Sequence, residues 1–160
     1  MEINNLPTLY VMVGLPGSGK SHIAVDLAKE NEAVIFSMDN IREELCGRVE
    51  DQSRNKEVFE IYRQRIRNAL KEGKNVIADA TNVSHRSSFL HEFADIPHKN
   101  IAHVANKDIN DCLIDNLDRP HPVPPDVIKR MAERFTVPTK AEGFEDIIVH
   151  NYERDMEKEM

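Results

Sequence analysis

Gly14-Leu15-Pro16-Gly17-Ser18-Gly19-Lys20-Ser21 follows directly on the apolar run Leu9-Tyr10-Val11-Met12-Val13. The stretch fits the pattern G-x-x-x-x-G-K-[ST], in which each fixed residue has a physical task. The glycines let the backbone turn tightly with its N–H groups inward, forming a concave nest for phosphate oxygens. Lys20 lies along the β- and γ-phosphates as a point charge, and Ser21 offers its hydroxyl to Mg²⁺. Behind the motif, His22-Ile23-Ala24-Val25-Asp26-Leu27-Ala28-Lys29 carries apolar residues at helical spacing. The loop therefore opens onto a helix N-terminus, whose dipole also favours an anion. A strand ahead and a helix behind are the context that the pattern requires. The stretch reads as a nucleotide-phosphate site built from Leu15, Pro16, Gly17, Ser18, Gly19, Lys20, Ser21 and His22. ATP and Mg²⁺ are its expected occupants, with Ser21 as the metal ligand.

A chain of 160 residues can bury a core without disulfides or metals, and one domain over 1–160 is expected. Its 40% hydrophobic and 31% charged residues are those of a soluble globular protein, and no apolar run approaches the ~20 residues of a membrane helix. Met1-Glu2-Ile3-Asn4-Asn5 does not read as a signal peptide. Cys46 and Cys112 lack disulfide or metal spacing and read as ordinary thiols in a reducing compartment, which points to the cytoplasm. Neither a membrane nor a protein partner is inferred. The net charge of −7 argues against a broad nucleic-acid-coating surface, but leaves room for a small basic pocket that accepts the end of a strand.

Along the chain, strand patterns alternate with helical ones. Strands are expected at Thr8–Val13, Ala33–Ser37, Asn75–Asp79, Asn100–Ala105 and Glu145–His150. Between them, Val58, Phe59, Ile61, Tyr62, Ile66, Ala69 and Leu70 form a helical stripe ended by Gly73, on which Phe59 and Tyr62 read as core. Ser84 is placed to cap a helix over His85–Ala94, and further helices are expected at Ile109–Leu117 and Asp126–Phe135. Pro120, Pro122, Pro124 and Pro125 interrupt the pattern between those last two, and residues 151–160 form a polar tail expected to fray. The alternation predicts an α/β fold. We expect a P-loop NTPase-like three-layer sandwich with a central, mostly parallel five-stranded sheet and a small helical lid at about 115–136. Ligands of such sheets sit at the carboxyl ends of the strands, which brings Gly14–Ser21, Ser37–Arg42, Asp79–Asn82 and the proline-rich segment to one rim.

On that rim Asp39 and Arg42 stand three apart, on one face of a helical turn. Phosphoryl transfer to an alcohol needs a group to accept the hydroxyl proton and a cation to steady the acceptor or the moving phosphoryl group. Asp39 and Arg42 can fill those roles; equally, Asp39 can cap the helix and Arg42 can be a solvated charge. Asp79 ends a strand, where a carboxylate can serve a metal, cap a turn or pair with Arg42. Thr81 and Asn82 either bind substrate or shape the turn. Arg119 precedes the proline-rich segment, with Lys129, Arg130 and Arg134 beyond it, as a cationic lid would require. Arg54, Lys56, Arg63, Arg65 and Arg67 spread around their helix and read mostly as solvated charge.

Three elements together — the phosphate loop, Ser37-Met38-Asp39-Asn40-Ile41-Arg42 and Asp79-Ala80-Thr81-Asn82 — resemble the kinase domain of polynucleotide 5′-hydroxyl kinases, phage-type and bacterial. Val123-Pro124-Pro125-Asp126-Val127-Ile128 and the stretch from Pro138 to Glu142-Gly143-Phe144 extend the likeness over most of the chain. The resemblance implies Asp39 as general base, Arg42 on the acceptor-side phosphate and Arg119 as a lid arginine. In the phage-type enzyme the carboxylate stands immediately before Thr-Asn; here Ala80 does, with Asp79 one residue earlier, and Asp115 replaces a second lid arginine. The expected activity is ATP-dependent transfer of the γ-phosphate to a 5′-hydroxyl end of DNA or RNA. Asp39, Lys20, Arg42 and Arg119 would be catalytic, and Asp79, Thr81 and Asn82 would bind or support the acceptor. The alternatives are a kinase of a small alcohol (nucleoside, sugar or antibiotic), favoured by the acidic surface, and a non-catalytic nucleotide-binding module.

Overall fold

A computed structural model describes residues 6–49 and 51–152. In chain order the elements are β1 (Thr8–Val13), α1 (Lys20–Asn31), β2 (Val34–Ser37), α2 (Met38–Cys46), α3 (Asn55–Lys71), β3 (Val76–Asp79), α4 (Arg86–His91), β4 (Lys99–Asn106), α5 (Ile109–Asn116), α6 (Pro125–Arg134) and β5 (Asp146–Asn151). A 3-10 turn at Lys140–Glu142, fixed by a Thr139–Glu142 capping box, precedes β5. The strands form one sheet in the order β2-β3-β1-β4-β5. Every pairing is parallel, so the sheet is wholly rather than mostly parallel. Each connection carries a helix back across the sheet, which returns the next strand to the same end.

β1 is buried at all six residues, as a central strand covered on both faces must be. Its odd positions Leu9, Val11 and Val13 pack with Ile41 of α2, Tyr62, Ile66 and Leu70 of α3, and Phe89 of α4. The even positions Tyr10 and Met12 pack with Ala24 and Leu27 of α1. The alternation separates the two cores and makes the three layers. A third cluster, Leu15, Val83 and Cys112, lies beneath the phosphate loop and receives Met131 and Phe135 from the α6 side.

Two local expectations are corrected. The helix after Ser84 runs only from Arg86 to His91; its cap is His85 in the left-handed region (φ 59°) with no side-chain capping bond. Phe59 is 37% exposed beneath the Arg63 guanidinium, 4.6 Å from the ring centroid, so only Tyr62 of that pair is core. Within the expected polar tail, Asn151 closes β5, while residues 153–160 lie outside the described residues. No helix among the described residues is long and apolar enough to cross a membrane.

Candidate active site

The phosphate loop leaves the carboxyl end of β1 and is clamped on both sides. Gly14 N–H donates to Thr81 O at 2.9 Å, and Asn82 Nδ2 donates to Met12 O at 2.8 Å. Asn82 holds a positive φ of 47°, a conformation its short amide tolerates better than most side chains. Thr81 and Asn82 thus brace the loop from the neighbouring strand end. Gly17 and Gly19 both have φ near +85°, at 83° and 85°. Any Cβ on Gly17 would also lie 2.4 Å from Cys112 O, so α5 packs against the loop at a point where only glycine fits. Burial pushes the Cys112 thiol beneath it up to about 11, which keeps it an inert packing group.

Lys20, Ser21 and His22 begin α1 and, with Gly17 and Gly19, line a cavity of about 290 Å³ closed on its far side by Lys107, Asp115 and Arg119. Asp79, the last residue of β3, accepts a hydrogen bond from Ser21 Oγ on Oδ2 at 3.3 Å. Its other oxygen, Oδ1, is buried without a hydrogen-bond partner. Burial raises the Asp79 carboxyl above the usual range, while the Lys20 charge and the Ser21 hydroxyl pull it back. Burial likewise lowers Lys20, with the Asp79 charge opposing that shift. The donor set fits Mg²⁺: a hydroxyl and a buried, unsatisfied carboxylate oxygen are hard oxygen ligands. Among the described residues there is no cluster of three or more His, Cys, Asp or Glu side chains that could hold a metal ion.

Asp39, in the first turn of α2, lies beside Arg119. Ser37, not Asp39, caps α2, its Oγ accepting from Asn40 N–H at 3.3 Å. The Asp39 carboxylate is therefore not used as a cap and stays half-exposed. Arg42 is buried rather than solvated: Nη1 donates to Asp39 Oδ1 at 2.9 Å and Nε to Asn55 Oδ1 at 3.1 Å. Arg42 pairs with Asp39 and leaves Asp79 to Ser21. Arg119 approaches the other Asp39 oxygen at 3.9 Å. Its loop is closed at the base by the buried Asn116, whose Nδ2 donates to Val123 O at 2.7 Å and whose Oδ1 accepts from Val123 N–H at 3.0 Å. Pro125 then starts α6 at a position where a missing N–H costs nothing. A carboxylate flanked by two guanidiniums, facing a phosphate nest, can accept a proton while cations steady anionic oxygens.

The arginines of α3 and its N-cap Arg54 are absorbed into the scaffold. Arg54 pairs with Glu57, Arg65 with Glu44 of α2, Arg63 with Glu92, and Arg67 with Asp95. Three further residues escape a reading of the sequence. Arg86 is buried on α4, with Nη1 donating to Asn82 O at 2.8 Å, Nη2 to Thr136 O at 2.9 Å and Nε to Glu142 Oε2 at 3.1 Å. Lys107 reaches the phosphate loop, and Asn116 holds the Arg119 loop. The Thr139-x-x-Glu142 capping box was a visible signal for the segment that receives Arg86; nothing local marks Lys107 or Asn116.

The profile of the AAA domain family AAA_33 matches residues 9–138. The chain belongs to this family. Its P-loop kinase fold recurs in solved structures. A chain of the Pnkp1/Rnl/Hen1 RNA repair complex aligns with a TM-score of 0.72 at 22% identity, covering 81% of this chain and 44% of that one. Kti12 from Chaetomium thermophilum, solved with ADP-AlF3, aligns at 0.72 with 15% identity, covering 94% and 92%. A gluconokinase from Sinorhizobium meliloti 1021 aligns at 0.61 with 16% identity, covering 96% and 87%. The chain spans less than half the length of the RNA-repair proteins it resembles. Among curated protein sequences none matches.

Proposed function

We propose that this AAA_33 member is an ATP-dependent kinase, a single domain over 1–160, that moves the γ-phosphate onto a 5′-hydroxyl end of DNA or RNA. The observation that carries this reading is Asp39, held at 2.9 Å by a buried Arg42, left out of helix capping by Ser37 and met from the lid side by Arg119. Pure nucleotide binding would need none of these three contacts. The likeness to a chain of an RNA repair complex supports a nucleic-acid acceptor.

In this mechanism the loop from Leu15 to His22 binds the phosphates through backbone N–H groups and Lys20. Ser21 and Asp79 would hold Mg²⁺, which when bound neutralises charge on the phosphate oxygens. Asp39 accepts the proton of the attacking hydroxyl, and Arg42 fixes the carboxylate and offers its guanidinium to the acceptor-side phosphate. Arg119, on a lid spanning about 115–136, shifts from Asp39 toward the transferring phosphoryl group and excludes water. Thr81 and Asn82 support the acceptor side by holding the phosphate loop in place.

A second reading, a kinase of a small alcohol, is favoured by one observation: Arg54, Arg63, Arg65 and Arg67 are each engaged by a carboxylate, so α3 offers no basic stripe. Transfer of labelled γ-phosphate from MgATP onto 5′-hydroxyl DNA and RNA oligonucleotides separates the two, with nucleosides and sugars in parallel. Label on oligonucleotides that falls at least 100-fold in Asp39→Asn, while ATP still binds, is the expected result. Label only on small alcohols replaces the first reading by the second. Full activity of Asp39→Asn removes Asp39 as base.

A further inference from the structure

Lys107 follows β4 at the carboxyl edge of the sheet, and its side chain is only 4% exposed. Its Nζ donates to Gly17 O at 2.7 Å and to the Asp115 carboxylate, and lies 4.2 Å from the centroid of the Tyr152 ring. A lysine is rarely buried without a task, because its ammonium must be paired when it leaves water. Here the pairing is complete in kind: a carboxylate, a carbonyl and an aromatic face.

The Gly17–Ser18 peptide is the one that Lys107 grips. Its carbonyl points to Lys107, and its N–H, on Ser18, donates to Leu15 O at 3.1 Å. A planar trans peptide held at both ends has one orientation. If it flipped, the carbonyl would face Leu15 O and the N–H would face the Lys107 ammonium, so both holds on this turn of the phosphate loop would be lost. Gly17 is the residue most able to flip, since it carries no Cβ and already sits at φ 83°.

We propose that Lys107 is a positioning residue for nucleotide phosphate: by anchoring Gly17 O it locks the phosphate loop in its binding orientation, with Asp115 holding the ammonium in place. The proposal rests on the reading of Leu15–His22 as a nucleotide site. It assigns Asp115, which stands where the resemblance leads one to expect a lid arginine, the task of counter-ion to this anchor.

Isothermal titration of the whole chain with MgATP tests it, using wild type, Lys20→Ala, Lys107→Met, Lys107→Gln and Lys107→Arg. Wild type is expected to bind with one site per chain, and Lys20→Ala to lose binding. Lys107→Met should raise Kd at least tenfold with the stoichiometry still one, because the loop is mis-set in a folded protein. Lys107→Arg, which can still reach Gly17 O, should recover to within about threefold of wild type. Should the methionine variant fail to fold, the glutamine variant gives the same reading. Unchanged Kd with fewer competent sites would mean that Lys107 serves stability only and would overturn the proposal. Wild type failing to bind MgATP would instead overturn the nucleotide-site reading on which it stands.

Discussion

Replacing Arg86 by Met removes a guanidinium while nearly keeping its volume, and the structure sets the size of the effect. The side chain is 1% exposed, and its donors satisfy Asn82 O, Thr136 O, Thr136 Oγ1 and Glu142. Glu142 keeps the Thr139 N–H at 2.7 Å and is 20% exposed, so it can turn toward water. Thr136 Oγ1 retains a weaker bond to Val83 O at 3.4 Å. The Asn82 and Thr136 carbonyls lose a guanidinium that is itself buried, at about 1–3 kcal/mol each. Two carbonyls at that cost give ~4 kcal/mol as the expected loss.

For a chain of this size each kcal/mol moves the unfolding midpoint by about 2–4 °C, which places the Arg86→Met midpoint ~12 °C below wild type. Urea titrations followed by far-UV circular dichroism, with midpoint and slope fitted separately, give the same quantity without heating. Arg86→Lys keeps the charge but cannot span three acceptors with one fork, so it should recover less than half of the loss. A loss below about 1 kcal/mol in Arg86→Met would refute the reasoning, since it would mean that the freed carbonyls find water.

Gly17→Ala should destabilise the protein by at least ~2 kcal/mol in urea and abolish MgATP binding, from a Cβ 2.4 Å from Cys112 O and a φ of 83°. Normal MgATP affinity in that variant would show that α5 can withdraw from the loop. His103, buried on β4 with Nδ1 2.8 Å from His150 Nε2, is lowered to about 4 by burial and by the His150 charge. Its unfolded value is near 6.5, so the unfolded chain binds the proton more tightly below that pH. The stability it contributes is full above about pH 6.5 and falls away toward pH 4, by on the order of 2–3 kcal/mol. The difference in unfolding free energy between wild type and His103→Asn, followed from pH 7.5 to 4, should narrow over that window; a constant difference would remove His103 as the cause.

The parts of the fold that were legible are those in which neighbours in sequence act together. Leu9–Val13, the phosphate loop and α1 form one continuous strand–turn–helix, and each strand announces itself by an apolar run between helical stripes. Asp39 and Arg42 were legible as a pair because three residues of helix bring them to one face, where they meet at 2.9 Å. Asp79 was harder. It stands one residue before the position that the resemblance leads one to expect, and it ends β3 beside Ser37 and accepts from Ser21. Its direction depends on where the strand stops, and strand ends are the least readable feature of a sequence.

What was not legible depends on partners far away in the chain. Arg86 in Arg86-Ser87-Ser88 looks like surface charge, because the carbonyl of Thr136 and the carboxylate of Glu142 reach it only once the chain has returned past α6. The same return explains why the arginines of α3 could not be judged from their helix alone: Glu92 and Asp95, which engage Arg63 and Arg67, belong to the segment after β3. Charge on this protein is therefore informative only after pairing is known. Once the arginines of the α3 region are set aside, the cations near the phosphate loop among the described residues include Lys20, Arg42, Lys107 and Arg119; the last three each face a carboxylate within 4 Å, and the Asp79 charge opposes the lowering that burial imposes on Lys20. A site with that balance binds an anion by exchanging internal partners for phosphate oxygens rather than by presenting bare charge. Its affinity for nucleotide should accordingly depend less on salt than on the geometry that Gly17, Asp79 and Asp115 impose.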